Sequence, residues 1–254
     1  MPFTFSHPAI VLPVHAVFSR WTSLTGLAVG SMAPDFEKFI RMAAHDPYSH
    51  TWRSIFYFNL PMGLLLAFLF HVVVRNALID NLPGFLRKRL HRYKSFNWVG
   101  YFKRNYGIVL VSIVLGAASH IFWDSFTHKE GRAVGWFPVL LDSFVYDGYR
   151  YTYFFVLQLL SSLVGLMAIM YAILKLPKKP VAPTPLLDAV TYWLIVFTVT
   201  TLVVLLKFIL GEHSRWDLVF IYIAGGLVGL IATPLLLSRT FSNYISFGRA
   251  KSLE

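Results

Sequence analysis

Residues Tyr106 to Glu130 read YGIVLVSIVLGAASHIFWDSFTHKE, and this stretch decides what kind of chain the sequence encodes. Its first part, Tyr106 to Trp123, is long and apolar enough for one bilayer crossing, which takes about 20 residues at 1.5 Å each. Its end carries His120, Asp124 and His128 at successive spacings of four. On an α-helix such residues sit one turn above each other with about 40° of drift per step, so the three share a stripe as far as the helix continues. Imidazoles and a carboxylate at a membrane edge are costly without partners, which predicts that other segments supply them.

Composition agrees with a membrane chain. Hydrophobic residues make up 56% of the 254 and charged residues 14%, which is not the balance of a soluble domain. The net charge of +11 lies mostly between apolar runs, where it sets topology and meets anionic headgroups. No basic-aromatic motif accompanies it, so nucleic acid is not expected as a partner. The absence of cysteine excludes disulfides and thiolate metal sites. The opening MPFTFSHPAI lacks a charged leader and cleavage site, so it is expected to be retained.

Four further segments are predicted to span: Ile55 to Val74, Tyr151 to Leu176, Asp188 to Leu210 and Asp217 to Leu237. His7 to Phe18 and Leu24 to Met32 are each too short to cross. A hairpin of two short helices, turning at Ser19 to Thr22, is preferred to one kinked crossing, because Arg20 and Trp21 would be expensive inside a span. The expected fold is therefore all-α, a polytopic membrane helical bundle of about five transmembrane helices plus an N-terminal short-helix hairpin. It forms a single membrane domain over 1–254, with a ligand-bearing half (1–150) and apolar scaffold helices (151–240).

Loop charges give an expected topology. Arg75, Arg87, Lys88, Arg89, Arg92, Lys94, Lys103 and Arg104 face the single acid Asp80, which places that loop, and with it Lys175, Lys178, Lys179, Arg239, Arg249, Lys251 and the C-terminus, on the cytoplasmic side. The loops holding Asp35 to His50 and Asp124 to Arg150 then fall together outside. Leu82 to Lys103 reads as a basic interfacial segment, and Lys178 to Pro185 as a proline-rich link.

Four clusters could carry chemistry: Ser6-His7-Pro8; Gly30 to Phe36, where Pro34 precedes Asp35; His45 to Thr51; and the stripe from His120 to His128. Imidazole nitrogens with hard oxygens and no thiolate suit Zn²⁺, with Mn²⁺ or Fe²⁺ as alternatives. Each cluster alone also reads as a helix start, a turn or a loop. His71 is expected to be packed or hydrogen-bonded, and His15, His91 and His213 structural or interfacial.

These motifs, with Trp123-Asp124-Ser125-Phe126-Thr127-His128, resemble a bacterial integral-membrane family, domain of unknown function family 4184. More distantly, the order H, P-D, H-[ST], S-H-x-x-x-D-x-x-T is similar to membrane-bound metal-dependent hydrolases, and more weakly to zinc-dependent phospholipase C. The resemblance implies His7, Asp35, His50, His120 and Asp124 as ligands of one or two ions. His128 stands where the distant hydrolases carry Pro, so its ligand role rests on the closer family and on helical spacing.

The expectation is a hydrolase of the bacterial cytoplasmic membrane that acts on a lipid-linked phosphoester, a phospholipid or isoprenyl phosphate, through metal-activated water. Asp35 and His50 would be catalytic, and Arg53, Lys129 and Arg132 would neutralise substrate phosphate. A transporter or flippase with a polar His/Asp site and a non-catalytic assembly protein are the alternatives.

Overall fold

The apolar runs become long helices in the computed structural model, which describes residues 3–251, with side chains described for 3–238. Leu253 and Glu254 lie outside the described residues, as do the side chains of Arg239, Arg249 and Lys251, which entered the topology reading. Five helices are long and apolar enough to cross a membrane: Ile55–Asp80, Trp98–Thr127, Tyr153–Lys175, Leu186–Ile209 and Arg215–Ser238. The chain is an all-α integral membrane protein.

Before these spans stand α1 (Pro8–Val17) and α2 (Leu24–Met32), two separate short helices packed against each other as expected. Pro8 opens α1, where its missing N–H costs nothing. The Ser23 side chain caps α2 by accepting from the Gly26 N–H, while Arg20 and Trp21 sit exposed in the turn. A turn at Ala33–Asp35 leads into α3 (Phe36–Arg41). The first span, α4 (Ile55–Asp80), contains two wider π-type stretches, at Ile55–Asn59 and Leu69–Val74. After α5 (Gly84–Leu90), α6 (Trp98–Thr127) begins earlier than expected, inside the basic segment, and breaks its regular dihedrals at Asn105, next to the expected start.

The connection after α6 is not irregular throughout. It holds α7 (Arg132–Trp136) and an antiparallel hairpin of β1 (Ser143–Tyr146) and β2 (Tyr149–Thr152). Asp147 and Gly148 take positive φ at 48° and 76°, the primed turn that follows strand twist. Then follow α8 (Tyr153–Lys175), α9 (Leu186–Ile209) and α10 (Arg215–Lys251).

Contacts divide the chain into two compact units. One draws on Met1–Glu37, Asp46–Ala67 and Asn97–Leu176; the other on Lys38–His45, Phe68–Phe96 and Pro177–Glu254. Helix α8 thus belongs with the ligand-bearing segments. The first unit is built on α2 against α6. Gly26 and Gly30 face Val109, Ser112 and Ile113, and Gly116 faces Leu27 and Ser31, so closely that a Cβ on Gly30 would stand 2.2 Å from the Ile113 carbonyl oxygen. Small residues spaced by four let membrane helices meet backbone to backbone.

In the second unit, buried Arg75 donates to the carbonyls of Phe96 (2.9 Å) and Lys94 (3.1 Å) and to His71 Nδ1 (2.9 Å), so His71 is hydrogen-bonded as expected. In the first, His15 Nδ1 meets Thr22 Oγ1 at 2.9 Å, a structural role.

Candidate metal centre

Local structure brings four polar segments to one end of α6. Phe3 N donates to Ser162 Oγ of α8 at 2.8 Å, and a Cβ on Gly165 of α8 would lie 2.8 Å from the Ser6 carbonyl oxygen. The chain is thereby pinned where it delivers buried His7. Pro34 breaks the helix after α2 and turns Asp35 inward, where it is fully buried. Thr4 Oγ1 donates to Asp35 Oδ2 at 2.6 Å and leaves Oδ1 facing the cluster. The loop bearing His50 is held by Glu37, which accepts from the N–H groups of Tyr48 (3.0 Å) and Ser49 (2.7 Å). Ser54 Oγ and Asn59 Nδ2 hold it from below through the Ser49 carbonyl, at 2.5 and 3.1 Å.

Helix α6 supplies His120 and Asp124 one turn apart, both buried. His120 Nδ1 lies 2.7 Å from the Ser31 carbonyl oxygen. A carbonyl only accepts, so Nδ1 carries the proton and Nε2 presents its lone pair to the cluster. His50 Nδ1 makes a very close contact with Asp46 Oδ2 and lies 3.0 Å from Ser49 Oγ, which fixes its proton there and turns the lone pair of Nε2 toward the cluster as well. A carboxylate or carbonyl behind each histidine is the usual outer support of metal-binding imidazoles.

The inner atoms converge. His50 Nε2 is 3.2 Å from His120 Nε2, 3.3 Å from Asp35 Oδ1 and 3.5 Å from Asp124 Oδ2. His120 Nε2 is 3.3 Å from Asp124 Oδ2 and 3.7 Å from Asp35 Oδ1. His7 stacks on His120 with ring centroids 3.8 Å apart, and its Nε2 is 3.7 Å from Asp124 Oδ1. Burial first, then the neighbouring His120, lowers the His7 pKa from 6.5 to about 3, so its imidazole is neutral at physiological pH, the ligating form.

This arrangement fits a cation. Two imidazole lone pairs and two carboxylates face one another, all buried but His50, and His7 Nε2 and both Asp124 oxygens are buried without a hydrogen-bond partner among the described residues. Like-ended acceptors so placed repel unless positive charge lies among them. Four ligands about 2.0–2.1 Å from one ion in a tetrahedron stand about 3.3–3.4 Å apart, and the 3.2–3.7 Å separations bracket that value. Two overlapping groups of three could each hold an ion, His7 with Asp35 and His120, and His50 with His120 and Asp124, their donor atoms all within 4.8 Å of one another.

Other expected residues are placed differently. Helix α6 ends at Thr127, so the stripe stops one residue before His128, whose backbone is extended. Its Nδ1 lies 3.0 Å from the Asp124 carbonyl oxygen and 3.7 Å from Asp124 Oδ2, a helix-end contact beside the cluster. Arg53, Lys129 and Arg132 are exposed on the adjoining segments, outside the buried cluster. The residue reading did not single out Asp46, Thr4, Glu37 or the Ser31 carbonyl. Asp46 and His50 do stand four apart, but in a loop, where that spacing carries no geometric meaning.

The fold and the cluster define a class: an integral membrane helical protein with a buried, thiolate-free His/Asp centre. The chain belongs to the family described as Domain of unknown function (DUF4184), whose pattern matches residues 1–235. No curated protein and no solved structure matches it.

Proposed function

We propose that the protein is a metal-dependent hydrolase of a lipid-linked phosphoester, a phospholipid or an isoprenyl phosphate, with Zn²⁺ as the preferred ion, one or two per chain, and Mn²⁺ or Fe²⁺ as alternatives. The observation that carries this reading is the convergence of the Nε2 atoms of His50 and His120 with Asp35 and Asp124 at 3.2–3.7 Å, with His7 stacked alongside. The distant similarity of the H, P-D, H-[ST], S-H-x-x-x-D-x-x-T order to membrane-bound metal-dependent hydrolases supports it.

His7, Asp35, His50, His120 and Asp124 would hold the ion or ions, with His128 at the rim. A bound cation supplies Lewis acidity, making a water acidic near neutral pH and stabilising negative charge on a phosphoryl oxygen. The chain's own residues do the rest. Thr4 holds Asp35 Oδ2, so that Oδ1 alone is presented toward the ion. His50, whose side chain is 20% exposed against 0% for His120, marks the side from which a headgroup enters. Arg53, Lys129 and Arg132 are exposed on segments adjoining the ligands and are assigned to the substrate phosphate. A site at the end of membrane-spanning α6 suits a headgroup at the ions with its chain in the bilayer. The loop charges favour the extracytoplasmic side of a bacterial cytoplasmic membrane, with the C-terminus inside.

The test joins elemental analysis of detergent-purified protein to a lipid-phosphate hydrolysis screen. Stoichiometric transition metal and phosphoester cleavage are expected, both lost in His120→Ala and Asp124→Ala while the helical signal persists. Protein without stoichiometric metal would sink the proposal; lipid flux in proteoliposomes without product would favour the transport reading.

A further inference from the structure

The hairpin between α6 and α8 has a composition that its strand register sorts into two faces. Phe144 pairs with Tyr151 and Tyr146 with Tyr149, while Ser143 pairs with Thr152 and Val145 with Arg150. Partners across an antiparallel pair share a face, and residues two apart along a strand share it too. One face is therefore four aromatic rings, Phe144, Tyr146, Tyr149 and Tyr151; the other holds Ser143, Val145, Arg150 and Thr152.

The aromatic face is largely uncovered. Phe144 is 40% exposed, Tyr146 71% and Tyr149 68%, and Phe144 stacks on Tyr151 at 5.8 Å and lies near Tyr153 of α8 at 5.9 Å. Trp136 in α7 is also 74% exposed, and its neighbour Phe137 stacks on Phe126 of α6 at 6.3 Å. A lone two-stranded hairpin is marginal in water and needs a packed apolar face for stability.

Chain continuity says what covers that face. Thr152 runs directly into Tyr153, the first residue of a membrane-length helix, and the whole connection starts where α6, another such helix, ends at Thr127. Strands of four residues reach only about 13 Å, so the rings of β2 stay within that distance of the first turn of α8. Tyr and Trp, with an apolar body and a polar tip, are the side chains that favour the headgroup layer.

We infer that the hairpin Ser143–Thr152 is a membrane-interface paddle, with the face of Phe144, Tyr146, Tyr149 and Tyr151 seated on lipid at the headgroup–acyl boundary. The inference stands on the spanning helices and the register, and is independent of the proposed hydrolysis. Its consequence for any lipid-handling role is local: the paddle holds lipid beside the start of α8.

The chain has no cysteine, so single-thiol variants read out cleanly. Tyr146→Cys and Val145→Cys, each labelled with an environment-sensitive fluorophore, are placed as full-length protein in phosphatidylcholine–phosphatidylglycerol nanodiscs containing lipid with a headgroup-proximal nitroxide. Tyr149→Cys repeats the measurement from the other strand should Tyr146→Cys not fold. The expected result is blue-shifted emission at 146 and 149 that the lipid nitroxide quenches, with 145 quenched instead by aqueous iodide. Equal iodide quenching on both faces, with no effect of the lipid nitroxide, overturns the inference. So does a shift at 146 that appears only with two copies per disc, which assigns the face to a second copy.

Discussion

One methyl group added at Gly30 tests whether the contact beneath the cluster sets its chemistry. A Cβ there would stand 2.2 Å from the Ile113 carbonyl oxygen, 2.8 Å from its Cα and 2.9 Å from its carbonyl carbon. These are backbone atoms of a helix and cannot rotate aside. Ordinary contact begins near 3.4 Å, so α2 must withdraw from α6 by roughly 1 Å. The residue after Gly30 is Ser31, whose carbonyl receives the His120 Nδ1 proton at 2.7 Å. A withdrawal of roughly 1 Å takes that contact beyond hydrogen-bond range and frees the imidazole to rotate or change tautomer.

Gly30→Ala is therefore expected to destabilise the fold by about 1–3 kcal/mol, as overpacking does, and to weaken metal binding by about 10–100-fold, as loss of an outer-shell partner does. Competition with a chromophoric chelator measures the second quantity, and thermal unfolding by circular dichroism of the metal-free protein measures the first. Gly107→Ala is the control: it lies in α6, the helix that α2 packs against, and an added Cβ there meets nothing within 4 Å. Unfolding and metal affinity equal to those of Gly107→Ala would refute the packing argument. Lower stability with unchanged affinity would refute the link from packing to ligand orientation.

Asp46→Asn keeps the side-chain shape but removes the charge behind His50 Nδ1, and is expected to lower metal affinity by about 10–100-fold without loss of helical signal; equal affinity in the competition assay would count against the Asp46–His50 pairing. Chelation should lower the unfolding temperature, since metal at 100 times its Kd adds about 2.7 kcal/mol to stability; identical unfolding with and without chelator would argue that nothing binds. His128→Ala should cost less than about tenfold in metal affinity, the low end for an outer partner, because His128 Nδ1 already faces the Asp124 carbonyl, whereas His120→Ala should abolish binding. Gly165→Val puts a side chain where a Cβ already lies 2.8 Å from the Ser6 carbonyl oxygen, so it should displace His7 and weaken metal binding despite lying far along the sequence from every ligand.

What the sequence made legible follows from the range of each signal. The five spans and the spacing of His120 and Asp124 are local, since length and helical period alone fix them. His120 and Asp124 stand out because the membrane makes such side chains expensive in an apolar run, whereas His7, Asp35 and His50, outside the spans, were recognisable only through the order of their motifs and its family resemblance. Their partners were hidden for the opposite reason. Ser31 acts through a carbonyl, a group every residue has; Thr4 is an ordinary threonine until Asp35 arrives beside it. The pattern Gly26-x-x-x-Gly30 is visible, but the surface it meets, Ile113 and Gly116, is set by how α2 crosses α6, and that crossing is what aims His120. The stripe to His128 was conditional on where α6 ends: the span was expected over Tyr106 to Trp123, the helix runs on to Thr127, and the backbone turns extended at the next residue, His128. That single residue separates a cluster ligand from a rim contact, so the ligand count depends more on where a helix stops than on which residue types it carries.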